Sequence, residues 1–117
     1  MPTGSAPIPR LKPGNIVTKI ANLSAAATTE LIAAQGAGIM IQVIGMSLYS
    51  KAANVVTLKS ATTAISPAWD FPDAGGGVGF SQNENSWMQT AANEALNITT
   101  TTTDVVNVII IYRLSTV

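Results

Sequence analysis

The chain contains no histidine and no cysteine, and only 10% of its 117 residues are charged. Histidine is the side chain whose unperturbed pKa lies nearest neutral pH, and the cysteine thiolate is the most nucleophilic of the common side chains. Their joint absence removes most acid–base and covalent mechanisms and any disulfide. Aromatics are also scarce, at 5%, and six Lys/Arg cancel six Asp/Glu. A balanced charge leaves no basic footprint for nucleic acid and no patch for an anionic membrane. Hydrophobic residues, by contrast, make up 47% of the chain, and the mean hydropathy is +0.34. That is high for a small soluble monomer, and it implies that part of the surface is covered by other subunits or by a partner.

The charges are divided along the chain. Arg10, Lys12, Lys19, Lys51 and Lys59 precede residue 60 with only Glu30 against them, whereas Asp70, Asp73, Glu84, Glu94 and Asp104 follow with only Arg113. Within one domain this is simple neutralisation; in an assembly it would help to set register between neighbours. The length suits one domain, preceded here by a distinctive segment. Residues 1–14 read MPTGSAPIPRLKPG, with prolines at 2, 7, 9 and 13. Proline fixes φ and removes amide donors, so this stretch is expected to be an extended arm, and it lacks the apolar core of a signal peptide. The arm is either a free tail or a strap on a neighbouring subunit, with Ile8 and Leu11 as apolar anchors and Arg10 and Lys12 pairing with acidic sites.

Residues 15–117 read as one β domain. Leu31 to Ser50 is twenty residues without a charge, long enough to span a bilayer as a helix. Its glycines, glutamines and β-branched centre suit two strands joined at Gln35-Gly36-Ala37-Gly38 better, and no membrane association is expected. Strands are expected at Asn15–Ile20, Thr28–Ala33, Ile39–Tyr49 with a bend at Gly45, Asn54–Lys59 and Leu96–Thr100. Shorter candidates are Thr62–Ile65, Gly77–Ser81 and Trp87–Thr90. The final candidate, Val105–Leu114, is apolar on both faces, so both faces should be covered, one by the opposing sheet and the other by loops, the arm or another subunit. The pattern predicts an all-β, jelly-roll-like antiparallel sandwich of about eight strands.

Chemical motifs are sparse. Gly75-Gly76-Gly77-Val78-Gly79 contains G-x-G-x-G but is followed by Phe80-Ser81-Gln82-Asn83 rather than a helix, so it reads as a turn and not a phosphate loop. Asp70 and Asp73, with Glu84, match no calcium-loop spacing. A glycosidase pair drawn from Asp70, Glu84 and Glu94 would lack the aromatic platforms of a sugar cleft. No catalytic, metal or cofactor site is expected. Trp69 and Phe71, flanked by prolines, either stack on a glycan or plug the open end of the sandwich.

The segment Ser86 to Thr99, SWMQTAANEALNIT, and the hydrophobic last strand ending in Tyr112-Arg113 resemble small β-sandwich structural proteins of tailed bacteriophages. These carry a W-x-x-T-x-x-x-E-x-L-x-[IV] segment, often with Gly before the Glu, ahead of a last strand that closes with an aromatic. Here Asn93 stands in the glycine position, and asparagine tolerates the positive φ such a turn requires. The upstream strands at Ile39–Tyr49 and Val55–Ser60 are similar to the same group, so the resemblance covers about Leu31 to Leu114. It implies a non-enzymatic virion protein on the capsid surface, assembled in the host cytoplasm. The expected role is capsid decoration or cement, as a homo-oligomer with a trimer the natural expectation, and with the major capsid protein or another virion protein as partner. A tail-fibre or spike domain that binds host glycans is the alternative.

Overall fold

The computed structural model describes residues 15–116; the proposed arm, with Ile8, Arg10, Leu11 and Lys12, lies outside them. The described chain is all β, with ten strands and no helix. They are β1 (Val17–Leu23), β2 (Thr28–Ile32), β3 (Ile39–Ser50), β4 (Asn54–Ser60), β5 (Thr63–Ala64), β6 (Trp69–Phe71), β7 (Gly76–Phe80), β8 (Met88–Gln89), β9 (Leu96–Thr100) and β10 (Val106–Thr116).

Two five-stranded antiparallel sheets pack in the manner of a β-sandwich. Sheet A has the order β1-β10-β3-β7, with β8 on β3 beside β7; sheet B has the order β2-β9-β4-β5, with β6 on β4. Each sheet is thus four strands wide, and its last place is shared by two short strands. This is why ten strands stand where the sequence pattern suggests about eight. The unexpected strand is β6, a three-residue piece between Pro67 and Pro72 that pairs with Asn54, Val55 and Val56. The twenty uncharged residues from Leu31 to Ser50 form the end of β2, a loop and β3, and no helix among the described residues is long and apolar enough to cross a membrane.

Alternation builds the core. Val56 and Leu58 of β4 and Leu96 and Ile98 of β9 face Ile41, Val43 and Leu48 of β3 and Val106, Val108 and Ile110 of β10, all essentially inaccessible to solvent. The bend expected at Gly45 is a β-bulge. Gly45 opposes Ile111 and Val43 opposes Tyr112, so Ile44 is the extra residue. Gly75 turns the chain into β7 with φ +83°, and a Cβ there would lie 2.6 Å from the Ser50 carbonyl oxygen. Gly76 to Gly79 of the glycine-rich run are not a turn but strand β7 itself.

Candidate functional site

The residues singled out in the sequence disperse in three dimensions. Phe71 is 7% exposed and belongs to the core, so its ring has no free face for a glycan. Trp69 is half-buried beside it, its ring centroid 6.1 Å from that of Phe80, and Phe80 lies 4.9 Å from Trp87. Trp69 sits at the edge of sheet B and Phe80 at the edge of sheet A, so the cluster closes one lateral side of the sandwich rather than its end. Trp87 stays 44% exposed, with its indole N–H donated to the Ser81 carbonyl at 2.7 Å. Asp70, Asp73, Glu84 and Glu94 do not converge: among the described residues there is neither a group of three or more potential metal ligands nor a ligand-sized pocket.

The W-x-x-T-x-x-x-E segment has a structural task. It carries the chain from β8 in sheet A to β9 in sheet B. Thr90, fully buried, accepts the Ile41 amide on its hydroxyl at 2.9 Å and donates its own amide to the Ile41 carbonyl at 2.9 Å. Asn93 has the expected positive φ, +57°, and its amide reaches the Ile39 carbonyl. Glu94 accepts the Ser60 hydroxyl at 2.6 Å, and that hydroxyl accepts the Ala91 amide at 2.9 Å. The segment thereby ties both sheets together, which accounts for its residue types without catalysis.

What remains is surface, and the two outer faces differ sharply. Cross-strand register places the outward rows of sheet A. Ile20 opposes Ile109, which opposes Ser47, which opposes Gly79; beside this row run Asn22, Asn107, Tyr49 and Gly77, and on its other side Thr18, Ile111 and Gly45. Directly opposed side chains lie about 5 Å apart, so these rows form one continuous patch. Ile20 is 65% exposed, Tyr49 48% and Ile109 40%. Toward β7 the row falls from isoleucine through serine to glycine, leaving a flat, uncharged surface.

The far part of this face is covered. The Ser81–Trp87 loop runs against the bulge: Asn83 donates to the Ile44 carbonyl at 2.7 Å and Trp87 to the Val43 carbonyl at 2.8 Å, and a Cβ on Gly45 would lie 3.3 Å from Gln82 Cα. Arg113 reaches across β3, donating Nε to Gln42 Oε1 at 2.8 Å and Nη2 to the Glu84 carbonyl. Ile44 is buried as a result. The last strand is therefore central, as its composition implies, but its second face is sheltered only at one end, and Ile109 stays open to solvent.

The outer face of sheet B is polar. Thr28 opposes Thr99, which opposes Thr57; Glu30 opposes Asn97, which opposes Lys59. Thr28 and Thr99 share a hydroxyl hydrogen bond of 2.9 Å. The apolar patch was legible only in part, because the last strand announces Ile109 and Ile111 while Ile20 and Tyr49 arrive from strands distant in sequence. No family model matches the chain, and no curated protein matches it.

Proposed function

We propose that the protein is a non-enzymatic structural component of a virion, a capsid decoration or cement protein that assembles as a homotrimer through the outer face of sheet A. The observation that carries this reading is the uncharged patch of Ile20, Ile109, Ile111 and Tyr49, with Asn22 and Asn107 among them, on one face of a domain whose opposite face carries threonine and charge. Exposed apolar surface of this kind invites association, and a flat one suits a broad interface rather than a small ligand. The strand order supports a jelly-roll reading. With β5/β6 and β7/β8 each counted as one place, the chain winds first, eighth, third, sixth in sheet A and second, seventh, fourth, fifth in sheet B. The viral reading is supported by the resemblance of residues 31–114 to phage structural proteins, which implies a position on the capsid surface with the major capsid protein or another virion protein as partner.

Mass measurement of the purified protein, alone and after mixing with empty capsids, tests the reading. A trimer that saturates capsid sites is expected; a monomer that leaves capsids bare would sink it. A second reading, a fibre or spike domain that binds host glycans, is favoured by the exposed Trp87 ring against Phe80, whose other neighbour is Trp69. Its test is glycan-array binding that disappears in Trp69→Ala while virion stability is unchanged.

A further inference from the structure

The patch on sheet A is not uniformly apolar. Asn22 of β1 and Asn107 of β10 stand directly opposite each other, both exposed, with Tyr49 of β3 next in the same row. Asparagine is depleted in strands, and sheet B shows that threonine supplies polarity at outward positions without that penalty. Neither strand formation nor wetting therefore accounts for two asparagines side by side. The other directly opposed carboxamides of sheet A, Gln42 and Gln89, satisfy each other at 3.0 Å. Among the described residues no such bond joins Asn22 to Asn107, which leaves both carboxamides presented on the face.

The chemistry of this row selects its partner. A carboxamide and a phenol each carry donor and acceptor together. A row of such groups is complementary to a copy of itself: two carboxamides close a reciprocal pair, and three close a ring, with every member donating and accepting. The rows beside it, Ile20, Ile109 and Ser47 and then Thr18, Ile111 and Gly45, carry no charge either. Nothing on the patch repels a second copy or attracts a charged partner. The carboxamides lie on one side of the isoleucines only, toward the turn between β1 and β2, so the patch has a direction. A copy shifted by one row would set carboxamides against isoleucine and bury their donors and acceptors without partners. One polar residue in an apolar seam fixes the register of coiled coils for the same reason.

We infer that Asn22 and Asn107 set the register of self-association: their carboxamides hydrogen-bond to those of a second copy of this chain, while Ile20 and Ile109 supply the apolar surface that is buried. The inference rests on the assembly through sheet A proposed above, and it holds for a ring of three as for a pair.

Native mass measurement of the full chain over a dilution series tests it. Asn22→Val with Asn107→Val should keep the protein assembled but replace one mass by several, because the apolar surface remains while the register is lost. Asn107→Asp should need about tenfold more protein to assemble at pH 7, since an ionised carboxylate only accepts and its copies repel one another. The usual aspartate pKa is about 3.9, so at about pH 3 the carboxyl is protonated and donates again, and assembly should return to that of the wild type at the same pH. A single mass from the valine pair, wild-type assembly of Asn107→Asp at pH 7, or an aspartate defect that persists at low pH would each overturn the inference. The sheet A reading itself survives those results so long as Ile20→Lys with Ile109→Lys dissociates the protein. A wild type that is monomeric throughout, or an isoleucine pair whose replacement leaves the mass unchanged, would overturn that reading and the inference with it.

Discussion

The two outer faces of the sandwich are built from the same kind of pleated surface yet differ in chemistry: one carries large exposed apolar side chains with no charge among them, the other threonine and charge. On sheet B the outward positions are Thr28, Thr57, Thr99, Asn97, Glu30, Lys59, Asp70 and a single apolar residue, Val55; on sheet A they are Ile20, Ile109, Ile111 and Tyr49, with Thr18, Asn22, Asn107, Ser47 and glycines between them and no charge. Threonine keeps the β-branched shape that strands favour while presenting a hydroxyl to water, so sheet B combines strand preference with solubility. Isoleucine in the same positions satisfies only the first requirement. Nothing in strand formation demands the exchange, and it is the difference on which the proposed assembly through sheet A rests.

Substitutions can break or sharpen this contrast. The largest effect is expected on the inward side of the strand that carries the patch. Ile110→Ala should destabilise the isolated domain by about 2–5 kcal/mol, as large-to-small core changes do. Ile109→Ala, one residue away and outward, should cost less than about 1 kcal/mol. Denaturant unfolding at a concentration low enough to populate monomer measures both, and equal losses would mean that Ile109 is part of the core. Next comes the paired test of the faces. Ile20→Lys with Ile109→Lys should reduce the assembled form by two orders of magnitude or more, on the order of the 3 kcal/mol that burying one such side chain contributes. Thr57→Lys with Thr99→Lys should leave the mass unchanged in sedimentation. If both pairs dissociate the protein, or neither does, the faces are not functionally distinct. The smallest effect concerns the boundary of the patch. Arg113→Met removes two side-chain hydrogen bonds and should cost about 1–3 kcal/mol, with faster proteolysis in the Ser81–Trp87 loop than elsewhere. Unchanged cleavage would show that the loop is held by its backbone bonds to Val43 and Ile44 alone.

How far the sequence anticipates this structure follows from where its information lies. Clean alternation in Asn54–Ser60 and Leu96–Thr100 places those strands correctly, because each has one buried face and one wet one. The tolerance of asparagine for positive φ anticipates the backbone at Asn93. β6 escapes notice because three residues between prolines are too few for periodicity to register, and Trp69 and Phe71 look like binding aromatics until Asn54 and Val56 are found opposite them. The patch is harder still: its members come from β1, β3 and β10, and only the register that brings them side by side makes them a surface. Residues of the upstream arm are singled out by composition alone and lie outside the described residues.

One consequence of the strand order concerns timing. The first four strands alternate between sheets, and β10, last of the ten, lies between β1 and β3 at the centre of sheet A. Until it arrives, β1 has no partner in its own sheet and Val43, Met46 and Leu48 lack half of their surroundings. Folding is then governed by contacts distant in sequence, which makes it slow and all-or-none. Ile109 and Ile111 travel on that same strand. The apolar outer surface therefore comes into being only in the step that completes the domain, and partly made chains cannot present it.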